Sequence, residues 1–363
     1  MNQFTYAQLP TKVVFGAGMR SRVADEVDAL GCERVMLIGT GSPAAAADEA
    51  AVAATLGWRL VAHWTEVVQH VPAELAERAR ELAVETDIDC IVTIGGGSST
   101  GLAKAIALTM RRPIIAIPTT YAGSEQTTIY GITGERHKQT GKSADVLPKV
   151  VIYDPELTVG IPAFVTGPSA FNALAHSVEA LYAPGCNPIT TAMALEGVRA
   201  IHSSLAQVMA SPADVDARSD LLYGAYLSGV ALGQTSAAFH HKICHVLGGT
   251  FNLVHADAHS VILPHAIAFL SPALPREMAL LAGALGGEPA GALWDLAVAS
   301  NVPTTLSALG LTEADLQEAA ERSVAEVAKI AAPGNPRPCS LDDMLALLRA
   351  AFAGTRPTVE TSR

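Results

Sequence analysis

Cys90-Ile-Val-Thr-Ile94, stopped by Gly95-Gly-Gly97 and followed by Ser98-Ser-Thr-Gly101, decides how the first half of this chain is read. Five apolar or β-branched residues in a row describe a strand buried on both faces, as in a parallel sheet covered by helices. Consecutive glycines at its end let the backbone come close to a phosphate. The helix expected to open near Ser99 adds free N–H groups and a partial positive charge. A glycine-rich turn alone is often just a tight loop, and this one lacks the GxGxxG fingerprint, so its neighbours must support it.

They do. Val35-Met-Leu-Ile38 is another apolar run and ends in Gly39-Thr40-Gly41; Ile114-Ile-Ala-Ile117 stops at Pro118, and Val150-Val-Ile-Tyr153 stops at Asp154-Pro155. Pro72 to Glu85 spaces Leu75, Ala79, Leu82 and Ala83 as a helix would. Strands alternating with helices predict a Rossmann-like α/β dinucleotide-binding domain over residues 1–158. After Pro155 come long Ala/Leu-rich segments: Pro168–Tyr182, Thr191–Met209, Ala217–Gly233, Phe239–Leu247, and Ala258 onward. They predict an all-helical catalytic domain over residues 159–363, in which Thr312-Glu-Ala-Asp315 has the form of a capping box. The cleft between such domains is the expected ligand site.

Hydroxyls and glycines at the ends of adjacent parallel strands suit a dinucleotide. Gly39, Thr40, Gly96, Gly97, Ser98, Thr119, Thr120, Tyr121 and Ser124 are the candidate contacts. Thr40 stands where a ribose-binding carboxylate would favour NADH, so NADH and NADPH are expected to serve within about one order of magnitude.

Composition narrows the partners. The formal charge of −11 argues against nucleic acid and anionic membranes, which would be repelled over most of the surface. Five cysteines, odd in number and widely spaced, fit reduced thiols better than a disulfide framework or a zinc cluster. The first residues, Met1-Asn-Gln-Phe-Thr-Tyr6, lack the basic and apolar regions of a signal peptide, and no apolar stretch reaches the ~18 residues of a membrane span. A cytoplasmic location is expected.

The helical half holds the chemistry-bearing side chains. His240, His241, His245, His255 and His259 crowd into twenty residues. Side chains at i and i+4 of a helix lie about 5–6 Å apart at Cβ, so His241 and His245 can address one small site, as can Asn172 and His176. Any one of these is more often a hydrogen-bonded core histidine than a ligand; the set is harder to dismiss.

Gly95-Gly-Gly-Ser98, Pro118-Thr-Thr, Pro148-Lys-Val-Val-Ile-Tyr-Asp-Pro155, Asn172-x3-His176 and His241-x3-His245-x9-His255 together resemble the iron-containing (group III) alcohol dehydrogenase family. The resemblance spans most of the chain. It implies a metal held by one Asp and three His, with His176, His241 and His255 matching the histidines and His245 matching the one beside the nicotinamide. It adds Lys138 and Leu157 to the nucleotide side and implies a homodimer. The chain departs from the family pattern where Asn172 replaces the ligand Asp and Gly101 replaces an Asp after the glycine turn. With Thr120-Tyr-Ala-Gly-Ser-Glu125 and His240-His-Lys-Ile-Cys-His245, these departures resemble the maleylacetate reductase branch, which reduces a carbon–carbon double bond with NADH or NADPH.

An amide is a weaker, neutral ligand, so Asn172 removes a negative charge from a divalent-cation site. Conjugate hydride addition to an enone also needs a Lewis acid less, because its developing charge is a delocalised enolate that hydrogen bonds can hold. Turnover without an essential metal is therefore expected, with His176, His241 and His255 a vestigial ligand set and Asn172, His176, His241, His245 and His255 the catalytic group. A dicarboxylate substrate, chloro-substituted forms included, needs cations, for which Lys242, Lys142 and Arg136 are candidates. Two rival readings remain: a metal-dependent alcohol or polyol dehydrogenase, which Asn172 disfavours, and a lyase like the dehydroquinate synthases, which needs more Lys and Arg near the histidines than this chain has. A non-enzymatic binding module would leave the histidine spacing unexplained.

Overall fold

The computed structural model describes residues 3–134, 138–330 and 333–358. Six parallel strands form the main sheet: β1 (Lys12–Phe15), β2 (Val35–Ile38), β3 (Leu60–Trp64), β4 (Cys90–Gly95), β5 (Ile114–Pro118) and β8 (Val150–Tyr153), in the order β1-β8-β5-β4-β2-β3. A separate antiparallel hairpin joins β6 (Ile129–Thr133) to β7 (Lys138–Lys142). Alternate residues of the sheet serve two cores. Met36, Ile38 and Ile91 pack under α3 (Ala73–Glu85) and α4 (Gly97–Met110), whereas Leu37, Val92, Ile94 and Ile152 pack under α1 (Val23–Ala29) and α2 (Ala46–Leu56). Both faces are covered, which is why the central strands read as unbroken apolar runs. The edge strands β1 and β3 are partly exposed and carry Lys12 and His63, so their runs are interrupted.

Register brings the functional ends together. Ile38 pairs with Thr93 and Gly95 pairs with Pro118, so the turns after β2, β4 and β5 share one edge of the sheet. Strand order reverses between β3 and β4 on either side of β2, the topological switch point where ligands of such sheets bind.

The remaining helices are α5 (Ala163–Ala180), α6 (Pro188–Ala210), α7 (Val215–Gln234), α8 (Phe239–Phe251), α9 (His255–Leu270), α10 (Pro275–Leu285), α11 (Pro289–Ala299), α12 (Leu316–Val327) and α13 (Leu341–Ala353). α5 is buried from Thr166 to Ala180, and such all-round burial marks a central helix. The Thr312–Asp315 capping box is present, with Asp in the acceptor role.

The chain separates into two compact units. One comprises Ala7–Ile161 with Ala213–Leu222; the other takes Pro162–Pro212 and the described residues from Tyr223 onward, with those before Ala7. This differs from a single cut at 158/159 in two ways. The 3₁₀ turn Pro155–Thr158 inserts Leu157 into the sheet core, which carries the first unit past residue 158. Residues 213–222 join that unit as well, and among them Arg218 is fully buried and donates to the Tyr121 hydroxyl at 3.1 Å. No described helix is long and apolar enough to cross a membrane.

Candidate active site

The α/β unit presents a tight glycine turn at the N-terminus of α4. Gly96 is the N-cap of α4 and supplies no side-chain cap, so the first N–H groups of that helix remain available. Gly95 has φ +149°, and a Cβ there would collide with Ser99 and approach Thr40. Cβ atoms on Gly96 and Gly97 would lie 3.1 Å from Thr120 and 3.3 Å from Ala122. The turn after β4 therefore fits tightly against the loop after β5, whose Thr119 N–H donates to the Gly95 carbonyl. These features fit a pyrophosphate seated on the α4 N-terminus.

Two expected nucleotide contacts are buried in this structure. The Tyr121 ring is fully buried, and Leu157 is a core residue. Thr119, Thr120 and Ser124 stay partly exposed on the loop. Lys138 lies on β7 but its side chain is outside the described residues, as is the whole of Arg136.

Thr40 has a partner that its sequence reading did not include. Its N–H and hydroxyl both donate to Glu49 Oε1, the hydroxyl at 2.9 Å, and Glu49 lies directly against Gly39. A buried carboxylate therefore does stand at the end of β2, delivered by the first turn of α2 rather than by the strand. Beside it a cavity of about 350 Å³ is lined by Gly41, Ser42, Glu49, His63 and Thr65 among others. An acid from α2 therefore stands beside the position that the sequence reading gave to Thr40 alone.

The helical unit gathers the histidines. α5 carries Asn172, His176 and Glu179 along one stripe, all nearly buried. α8 brings His240, His241 and His245, and α9 brings His255 and His259. The His176 ring stacks on His241 at 5.0 Å, His241 meets His259 at 4.5 Å, and His240 meets His259 at 4.7 Å. His245 is exposed and 6.1 Å from His241; it stacks on His255 at 5.5 Å. His255 and His259 share an Nε2···Nε2 hydrogen bond of 2.9 Å.

Glu179 organises this cluster. Its carboxylate accepts the His241 Nδ1–H, the Tyr182 hydroxyl at 3.2 Å, and the backbone N–H groups of Ala238 and His241 at 3.2 Å each. The last two are free donors of the α8 N-terminus, so one carboxylate caps the helix and orients the imidazole. Burial by itself would raise the Glu179 pKa, but the His241 charge and its hydrogen bond outweigh it and bring the value down to about 2. A depressed carboxyl pKa stabilises the fold fully above the unfolded value, near 4.5, and loses that effect as pH falls toward 2. The stability gap between the wild type and Glu179→Gln, measured by urea unfolding, is expected to narrow as pH falls below 4.5. A gap independent of pH would detach Glu179 from that role.

Burial drives His240 down to about 3 and holds His176 and His259 well below the usual imidazole range, so all three are neutral at pH 7. The family's ligand trio does not close. The histidine nitrogens that approach one another within 4.8 Å belong to His240, His241 and His259, while His255 Nε2 is engaged by His259. Asn172 adds no charge, and Glu179 is committed to His241 and Tyr182. The described donors therefore do not fit the metal arrangement of one carboxylate and three histidines.

Two of the proposed substrate cations lie within the described residues. Lys242 sits 3.9 Å from Glu326 of α12, and Lys142 is exposed on the β6–β7 hairpin. Glu179 was not singled out from sequence, and His240 and His259 were counted in the histidine cluster but given no catalytic role. The signal was there: Glu179 follows His176 by three positions, and His255-x3-His259 repeats the spacing of His241-x3-His245.

Residues 10–155 match the iron-containing alcohol dehydrogenase model, and residues 166–352 match the C-terminal model of the same family. A maleylacetate reductase of Burkholderia cepacia is 49% identical over 99% of this chain and 100% of its own. The crystal structure of maleylacetate reductase from Agrobacterium tumefaciens superposes with a TM-score of 0.93 at 42% identity, covering 98% of this chain and 100% of that one. A Rhizobium maleylacetate reductase structure gives 0.93 at 43%, with the same coverages. With its uncapped phosphate turn on a parallel sheet and its histidines on α5, α8 and α9, this chain belongs to the iron-containing alcohol dehydrogenase family.

Proposed function

We propose that this protein is a maleylacetate reductase, converting the carbon–carbon double bond of maleylacetate to the single bond of 3-oxoadipate with a reduced nicotinamide nucleotide. The observation that carries the reading is the Glu179–His241 pair inside a cluster of neutral histidines, joined with the likeness to relatives of that name over the full chain. In the same reading the enzyme is a cytoplasmic homodimer that takes chlorinated substrates as well, which rests on the family resemblance alone.

A reduced nicotinamide nucleotide, when bound, would supply hydride to the alkene carbon β to the ketone. Gly96, Gly97 and Ser98 would hold its pyrophosphate, with Thr119 and Thr120 lining the same turn. Negative charge then collects on the ketone oxygen as an enolate, which needs hydrogen-bond donors. In this reading His245, exposed beside His241, and Asn172 supply those donors. His241 delivers the proton to the α-carbon through Nε2–H, with the Glu179 carboxylate as counter-ion at Nδ1. No step in this scheme passes through a metal. The test is to follow NADH oxidation with maleylacetate against a panel of aldehydes, with and without EDTA. Activity on maleylacetate that survives chelation supports the reading; loss restored by Zn²⁺ or Fe²⁺, or preference for aldehydes, removes it.

Glu49 alters the expected nucleotide choice. Its carboxylate beneath Thr40 attracts a ribose diol and repels a 2′-phosphate, so NADH is expected to be used more efficiently than NADPH. Glu49→Gln keeps an oxygen for Thr40 but removes the charge. It is expected to shift the kcat/KM ratio toward NADPH by roughly tenfold, about 1.4 kcal/mol. An unchanged ratio would show that residue 49 does not sense the 2′ position.

A further inference from the structure

We infer that Lys104 is an internal cation that sets the nucleotide-binding loop, acting as a positioning residue through that loop rather than by touching the nucleotide. Lys104 lies two turns into α4, the helix that opens at the phosphate turn, and is only 1% exposed. Its ammonium donates to the carbonyls of Ser124 (2.7 Å), Thr127 (2.8 Å) and Ile129 (2.8 Å), and to Thr127 Oγ1 (3.0 Å). Four oxygens thus surround a group with three N–H bonds, much as carbonyls surround a bound alkali ion. Every one of them belongs to the segment from Ser124 to Ile129, which ends the loop after β5. The start of that loop, Thr119 to Ala122, is the part that presses on Gly96 and Gly97.

An apolar side chain in this space would take the lysine donor away from the Thr127 and Ile129 carbonyls, which is costly, whereas the Ser124 carbonyl would keep the Thr127 N–H and hydroxyl. Burial lowers the Lys104 pKa toward about 7, opposed by Glu125 nearby. Glu125 is itself 2% exposed and accepts from the Tyr153 hydroxyl at 2.7 Å. Because α4 carries both the phosphate turn and the lysine, the clamp fixes the two sides of the cradle to one rigid element.

The inference rests on the proposed nucleotide site, and the experiment separates the two. NADH titration of the wild type tests the site: no binding would remove both. Lys104→Ala is then expected to raise the dissociation constants of NADH and NADPH together, by roughly tenfold or more, while kcat at saturating nucleotide stays within about threefold. Propylammonium, which supplies the deleted atoms, is expected to restore NADH affinity to Lys104→Ala and leave Lys104→Met unaffected. Thr127→Val keeps the lysine but deletes one acceptor, and is expected to weaken NADH by roughly threefold even if Lys104→Ala does not fold. Unchanged affinity in folded Lys104→Ala or in Thr127→Val, or a loss confined to kcat, would overturn the clamp.

Discussion

His241→Ala is expected to lower kcat for maleylacetate by about 10²–10⁴-fold, the scale of a lost general acid, while NADH affinity stays nearly unchanged. The reason is positional. His241 is 4% exposed on the helical unit and held by a buried carboxylate, whereas the proposed phosphate contacts all lie on the α/β unit. A cavity left by an imidazole could also destabilise the fold, so the companion variant is Glu179→Gln, which keeps the volume. The amide oxygen can still accept the Nδ1–H and the Ala238 N–H but cannot balance an imidazolium, so proton delivery should slow, and the α8 N-terminus keeps only one of its two carboxylate bonds. If His241→Ala and Glu179→Gln each cost less than about tenfold, far below that scale, the pair is structural and His245 becomes the proton donor. A solvent isotope effect on kcat that disappears in Glu179→Gln would likewise move the proton transfer elsewhere.

The part of this site that was legible in the sequence is the part built from local pattern. β2, β4, β5 and β8 are unbroken because both of their faces are covered, and the glycines after β4 stand out because a Cβ on Gly95 would collide with Ser99 while Gly96 and Gly97 fit closely against Thr120 and Ala122. His241 and His245 are visible as a pair because four residues make one helical turn. What was not legible depends on contacts distant in the chain. Glu179 matters because it meets the start of α8, some sixty residues on, and a lone carboxylate in an apolar helix does not announce that partner. Glu49 reaches the end of β2 from the following helix, so a search for an acid on the strand itself finds only Thr40. Tyr121 and Leu157 sit in loop positions suited to a ligand, yet tertiary packing turns both inward. The edge strands β1 and β3 and the β6–β7 hairpin escaped notice because their exposed faces break the apolar run.

Gly97→Val is expected to weaken NADH and NADPH alike while leaving the fold intact. Gly97 opens α4, and its backbone dihedrals pose no barrier to a side chain; the obstacle is space. A Cβ alone would stand 3.3 Å from Ala122 Cβ, so alanine is nearly tolerated, but the two γ-methyls of valine have to enter the gap that the pyrophosphate would fill. Either the loop after β5 retreats or the phosphate loses contact with the helix N-terminus. A hydrogen bond to a charged group is worth about 1.5–3 kcal/mol, so losing one raises the dissociation constant roughly ten- to hundredfold, and losing two raises it further. The comparison with Gly97→Ala is decisive, since a steric origin requires a graded series with alanine between glycine and valine. Fluorescence titration of both nucleotides against all three proteins reads it directly. Equal affinities across the series would place the pyrophosphate away from the α4 N-terminus, and a loss for NADPH alone would point to the 2′-phosphate instead.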